Sequence, residues 1–428
     1  MNVLNPKVIQ KISTYSFLAA VFILPFAKAG FEIFFGLTLF FWILSKTIER
    51  GSLCAERVLF IALGLFVISS SVSAFGSGYP EISFRGMIKL IKYVLIMFVS
   101  ADLFVNASSL KRLFTIGTFS LGLVILDSLI QNIFGQDLIL SYPVQYANDQ
   151  IRLTGPYQSY GLLATHLIAF LPILTAFTIS SKYLKQLGWG VLFLVSFYVL
   201  CRTQSRGAWL AVFVSLLIYS LMTRNKWFLI VLAISVLTMP FILPKKTLFH
   251  LDTFNQEASL IERNLLWNRA ISVIKARPWF GCGINTYTKN YPKYAQGKEW
   301  DLMKQEAMRG QYAHFGNKEA WRIPGHPDQI PGHYVHNGYL QIAAETGLVS
   351  LALFFMIIGF SFISGFQAFK KAGKDKKPII AGLICGLVAL LLQAIVDTTL
   401  QGLQSATLVW LFLGLLIGLK NAVVSDQK

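Results

Sequence analysis

Arg202 and Arg206 stand four residues apart in the stretch RTQSRGAW, between two apolar runs. On one helix that spacing puts both guanidinium groups on a shared face, where they could meet a single anion; a diphosphate would suit two planar forks. A pair of arginines snorkelling their stems along an apolar surface would have the same spacing. Arg85, Lys89 and Lys92 repeat the logic at i, i+4 and i+7, with the two lysines already inside an apolar run. A charge there costs roughly 2.5–3.5 kcal/mol on insertion scales, so an anionic partner is expected. Asp127, Asp397 and a lipid-borne phosphate are the candidates.

A third group lies in SLIERNLLWNRAISVIKARPWFGCGINTY, which carries Arg263, Arg269, Lys275 and Arg277 ahead of a Pro- and Gly-rich turn. Arg263 and Trp267 are one helical turn apart, so a cation and an aromatic ring can share a face, as sugar-phosphate sites often require. The solvated side of an amphipathic helix would look the same. The fourth group is GHYVHNGYLQIAAETGLVSL, where Pro331 and Gly332 break the chain. The spacing of Leu340, Ala343, Ala344 and Leu348 predicts a helix from about Asn337, with His336 at its N-terminus. The positive end of the helix dipole disfavours imidazolium, so His336 is expected neutral, able to take a proton from a sugar hydroxyl. A hydrogen-bonded structural histidine is the competing reading.

These groups need a scaffold, and composition says which kind. Of 428 residues, 55% are hydrophobic and only 14% charged, against about 25% charged in ordinary soluble domains. The chain is expected to be an all-α polytopic membrane protein. Apolar runs fall at 12–27, 33–48, 58–75, 86–105, 113–134, 159–180, 187–201, 207–222, 227–243, 347–366, 379–396 and 405–419, giving twelve expected transmembrane helices. Each approaches the roughly 20 residues of a helical crossing. They are continuously apolar, unlike the alternating strands of a membrane β-barrel.

Residues 1–243 hold the first nine runs, residues 244–337 form one large loop, and residues 338–428 hold the last three runs and the C-terminus. The loop contains every histidine except His166, and its amphipathic stretches predict helices lying over the bundle. Net charge is +18, and in the short connections the cations fall on one side: Lys46, Arg50 and Arg57; Lys111 and Arg112; Lys182 and Lys185; Arg224 and Lys226; Lys370, Lys371, Lys374, Lys376 and Lys377. Lys28, Arg85, Arg152, Arg202 and Arg206 fall on the other. The positive-inside rule then makes both termini cytoplasmic and turns the large loop and His336 outward. The basic excess thus reflects topology, and no nucleic-acid partner is expected.

No phosphate-binding GxxxxGK[ST] loop, dinucleotide GxGxxG or HExxH zinc helix occurs. The chemistry is expected to need no cofactor and no metal, although His326, Asp328, His333 and the pair Glu299 and Asp301 leave a divalent ion open. Cys54, Cys201, Cys282 and Cys385 show no CxxC spacing, so neither a redox pair nor a disulfide framework is expected.

Three stretches, RTQSRGAWLA, ERNLLWNRAISVIKARPWFGCGINTY and HNGYLQIAAETG, together with the hydropathy plan of the whole chain, resemble the bacterial O-antigen ligases and related O-antigen polymerase-like glycosyltransferases. The resemblance implies a C-type glycosyltransferase-like membrane fold. It also implies metal-independent transfer of a glycan from undecaprenyl diphosphate to the lipid A-core oligosaccharide, at the periplasmic face of the bacterial inner membrane. Position by position, His336 resembles the family's catalytic base, while Arg206 and Arg263 resemble the arginines that hold the diphosphate. Arg202, Arg277 and Asp397 follow as further assignments. Inversion by direct displacement is the expected course. An O-antigen polymerase or a protein O-oligosaccharyltransferase would use the same donor. A lipid-linked glycan flippase would be expected to show internal repeats, and none is visible.

Overall fold

The computed structural model describes residues 5–49, 57–105, 107–147, 150–225, 253–290, 294 and 334–425. In chain order they form α1 Pro6–Ile23, α2 Lys28–Glu49, α3 Arg57–Phe75, α4 Pro80–Leu103, α5 Ala107–Phe134, a hairpin of β1 Gln145–Ala147 and β2 Gln150–Arg152, α6 Tyr160–Ser180, α7 Tyr183–Thr203 and α8 Arg206–Thr223. Then follow α9 Thr253–Ala276, α10 Tyr287–Asn290, α11 Gly338–Lys371, α12 Lys377–Gln393 and α13 Leu403–Ser425. The fold is an all-α polytopic membrane architecture. Among the described residues the one sheet is the β1–β2 pair, antiparallel with Tyr146 opposite Ile151.

Among the described residues, eight helices are long and apolar enough to cross a membrane: α2, α3, α5, α6, α7, α8, α11 and α13. Helices α1, α4 and α12 coincide with three more of the expected runs. The ninth run, 227–243, lies outside the described residues, as do His250, His314, His326, His333, Glu299, Asp301 and Cys54.

Water-driven burial does not hold helices together in hydrocarbon, so close backbone approach at small residues must do it. Gly382 and Gly386, one turn apart on α12, face the backbone of Pro172 and Ala169 on α6. Gly414 and Gly418 on α13 do the same against Met97 and Ala101 on α4. Further contacts join α1 to α2, α6 to α7, α8 to α12, and α11 to α3 and α13. Helices α6 and α13 are buried along most of their length, whereas Ile33, Phe40, Ile61, Ile68 and Leu210 project outward, as suits helices solvated by lipid chains.

Two elements shape the region around His336. Helix α11 is interrupted at Gly347, whose φ of 84° and ψ of 172° lie outside the helical range. The turn after α9 fits into that break: Leu348 N–H donates to the Pro278 carbonyl (2.8 Å), Cys282 N–H to Ala344 (2.9 Å) and Gly283 N–H to Glu345 (3.0 Å). Ala270, Val273, Cys282, Tyr287, Val335 and Ala344 form a small apolar cluster of their own, with Trp267 and Leu340 packed against it. Helix α9 is therefore docked on the N-terminal part of α11 through this small cluster.

Several expectations need correction. Arg202 and Arg206 do not share one helix. Gln204 adopts a left-handed conformation (φ 55°) that ends α7, and α8 starts afresh at Arg206. Asp397, in the turn between α12 and α13, does not pair with the α4 lysines, whose partners are Gln401 and Glu32. The N-cap of α11 is Asn337, whose side chain accepts from Tyr339 and Leu340 N–H at 3.0 Å each, so His336 stands one residue outside the helix.

Candidate functional site

The turn from Ala394 to Gly402 touches the N-termini of three helices. Gly338, opening α11, donates its N–H to the carbonyls of Ala394 (2.7 Å) and Asp397 (3.1 Å). At the start of α6, Ser159 caps the Gly161 N–H, and a Cβ added at Gly161 would lie 3.1 Å from Asp397 Oδ2. At the start of α8, a Cβ added at Gly207 would lie 2.4 Å from Val396 and 3.0 Å from Gln393 Oε1. Each helix N-terminus carries about half a positive charge from its aligned peptide dipoles. Three of them around one turn make a region suited to anions.

His336 and Asp397 meet in this region. His336 Nδ1 is 3.8 Å from Asp397 Oδ1, an electrostatic contact longer than a hydrogen bond. The His336 side chain is 43% exposed, so the rest of the imidazole is open to an incoming group. Its backbone is left-handed, with φ at 52°, which costs about 1–2 kcal/mol for a residue with a Cβ. For Asp397, burial pushes the carboxyl pKa up, but the neighbouring His336, the Thr398 N–H and Gln393 outweigh it and hold the group below its ordinary value. Asp397 thus remains a carboxylate, able to orient the imidazole.

Arg206 is the first residue of α8, exposed, and next to Gly207, which packs on Val396. Among the described residues it has no hydrogen-bond or ion-pair partner, leaving its guanidinium free for an external anion. Arg202 is differently placed: its Nη2 donates to Asn132 Oδ1 at 2.8 Å, which ties α7 to α5. Arg263 is part-buried on α9, one turn before Trp267, and Trp267 packs on the cluster that includes Val335. Arg277 lies at the other end of α9, exposed, with Nη1 3.5 Å from the Gly76 carbonyl.

The α4 stripe finds partners other than those expected. Lys92 pairs with Glu32 on α2, and Lys89 donates to the Gln401 carbonyl. Neither reaches Asp127 or Asp397. Asp127 instead accepts the N–H groups of Leu138 (2.9 Å) and Ile139 (3.3 Å), fastening the segment after α5. Arg85 is exposed near the N-terminal end of α4. Lys89 faces a small cavity lined also by Glu345, Asn285 and Gln401.

One cation near this region escaped the sequence reading. Arg152 on β2 stacks its guanidinium 4.6 Å from the Tyr160 ring at the first residue of α6 and donates to Gln204 (3.2 Å). No helical spacing links it to the other arginines, because a hairpin brings it there. Cys282 is no alternative nucleophile: burial, reinforced by Glu345, pushes its thiol up to about 12.

Residues 191–355 match the family model described as O-antigen ligase. Over those residues the chain is similar to the O-antigen ligase family. The match runs from within α7 to within α11 and so includes Arg202, Arg206, Arg263, Arg277 and His336, but it stops before Asp397. Similarity to that family supports a glycosyltransferase-like membrane enzyme. No curated protein matches the chain.

Proposed function

We propose that this ligase-like protein transfers a glycan from undecaprenyl diphosphate to a hydroxyl of the lipid A-core oligosaccharide, at the periplasmic face of the bacterial inner membrane. The observation that carries the reading is the contact of His336 with Asp397 on a turn that also meets the N-terminus of α8, where Arg206 has no partner among the described residues. A base and a cation site thus adjoin, as a glycosyl transfer from a diphosphate requires.

In the proposed reaction His336 takes the proton from the acceptor hydroxyl while that oxygen attacks the anomeric carbon and the bond to the diphosphate oxygen breaks. Asp397 orients the imidazole and offsets the charge it gains. The leaving diphosphate needs no proton, because its negative charge is spread over phosphate oxygens; Arg206 and Arg263, with the helix N-termini, oppose that charge. Direct displacement inverts the anomeric centre. The absence of a reactive thiol at Cys282 fits a reaction without a covalent enzyme intermediate.

The orientation rests on α12. Its 17 residues separate the turn carrying Asp397 from Lys370, Lys371, Lys374, Lys376 and Lys377 by about 25 Å at 1.5 Å per residue. With that lysine run cytoplasmic, His336 faces the periplasm and both termini lie inside. An O-antigen polymerase would use the same donor with a second lipid-linked glycan as acceptor; the similarity of residues 191–355 to the O-antigen ligases favours the ligase.

The test is transfer by purified full-length protein from undecaprenyl-diphosphate glycan to either lipid A-core or a second donor molecule. His336→Ala is expected to insert normally and to transfer nothing. Full transfer by that variant would remove the base, and lengthening only of the second donor would convert the ligase into a polymerase.

A further inference from the structure

One buried carboxylate joins the two halves of this site. Glu345, on α11, accepts the Asn285 N–H on Oε2 (2.9 Å) and the Tyr287 N–H on Oε1 (3.2 Å). Those two amides belong to the segment that follows α9, the helix bearing Arg263. On the same Oε1 it accepts Gln341 Nε2 (2.8 Å). Gln341, one helical turn earlier and fully buried, uses its own Oε1 to accept the Val335 N–H at 3.0 Å. Val335 directly precedes His336, the residue held in a left-handed conformation.

The geometry points to Gln341 as a positioning residue for His336, locked in orientation by Glu345. This rests on the reading of His336 as the base. A primary amide suits the position because it donates on one side and accepts on the other. Glu345 acts as an acceptor toward all three of its partners, so the Gln341 amide must present its NH2 to Glu345, and its oxygen is then directed at the Val335 N–H. That bond fixes the peptide just before the left-handed turn, and the turn aims the imidazole at Asp397. Because Glu345 also holds Asn285 and Tyr287, the same junction sets the docked α9 arm against the base. Neither residue needs to touch substrate.

Three variants of the full-length protein separate positioning from folding. Gln341→Met fills the volume and removes both hydrogen bonds. Gln341→Glu keeps an acceptor for Val335 but places two carboxylates side by side, which is relieved when the pair shares a proton. Ser350→Ala, elsewhere on α11, removes a buried hydrogen bond to Ser69 on α3 and reports what a purely structural loss does. Transfer is measured per folded molecule over a range of donor concentrations and pH.

For Gln341→Met we expect kcat to fall roughly 10- to 100-fold, the scale of a small misplacement of a reacting group. Donor KM should stay near the wild-type value, and the acid limb of the pH profile should move as the Asp397 contact loosens. For Gln341→Glu we expect the activity relative to wild type to rise as pH falls. Ser350→Ala should leave kcat and the pH profile in place. A wild-type kcat and pH profile for Gln341→Met, or a loss matched by Ser350→Ala, overturns the positioning role. If His336→Ala is inactive in the same assay, that result removes the role of Gln341 alone; if His336→Ala is active, the base assignment itself has failed.

Discussion

Gly347→Ala should release the α9 arm from its seat on α11. At φ 84° and ψ 172° the backbone occupies a region open essentially to glycine, and forcing an L-residue there costs of order 1–3 kcal/mol. An added Cβ would also lie 2.0 Å from the Trp279 carbonyl oxygen and 2.5 Å from the Phe280 nitrogen. Both are backbone atoms that cannot turn aside, and overpacking of this kind costs typically 1–3 kcal/mol more. The lower ends of those ranges sum to about 2 kcal/mol, and with a factor of ten for each 1.4 kcal/mol the arm should open roughly 30-fold more often. Hydrogen–deuterium exchange of the full-length protein reads this directly at the amides of Cys282, Gly283 and Leu348, which close the docking interface. Glycan transfer should fall with it, because the same interface positions Arg263. Gly359→Ala, on the same helix with nothing within 4 Å of the added atom, is the control and should leave exchange at the arm unchanged. Wild-type protection in Gly347→Ala, or equal loss in Gly359→Ala, would refute the idea that the break at Gly347 exists to receive the arm.

Two further outcomes distinguish the roles given to charged residues. Arg206→Ala should keep its thermal stability and lose roughly tenfold or more in donor-dependent transfer, the worth of one charge-assisted hydrogen bond of about 1.5–3 kcal/mol; Arg202→Ala, which strands Asn132, should instead lower the melting temperature, and the reverse pattern would exchange the two assignments. Asp397 has a folded pKa below its ordinary 3.8, so its stabilising contribution is complete above that value and is lost as pH falls through the lower folded value. Asp397→Asn should therefore melt below wild type at neutral pH, with the gap closing only in strong acid; a gap independent of pH would show that the charge does not matter.

The membrane class and the places of the described apolar helices were legible in the sequence because each is a local property. A continuous apolar run binds its own backbone into a helix wherever its neighbours lie, so runs such as 58–75 and 405–419 could be read off one by one. The local settings of the candidate residues were legible for a related reason: an arginine at a helix start, or a histidine beside a capping asparagine, is written in a few adjacent residues.

Pairings between distant residues were not legible. Nothing in the spacing of Lys92 names Glu32, and Arg202 and Arg206 keep the i, i+4 pattern although a single left-handed residue, Gln204, turns them apart. Arg152 came to the first turn of α6 through a hairpin with no amphipathic signal. Composition and hydropathy by themselves determined that this chain is a helical membrane protein with its chemistry in a few polar islands. Tertiary structure alone decided which islands meet, because contacts across hundreds of residues depend on how close glycine-lined helices can approach, and on one buried carboxylate satisfying amides from two separate segments.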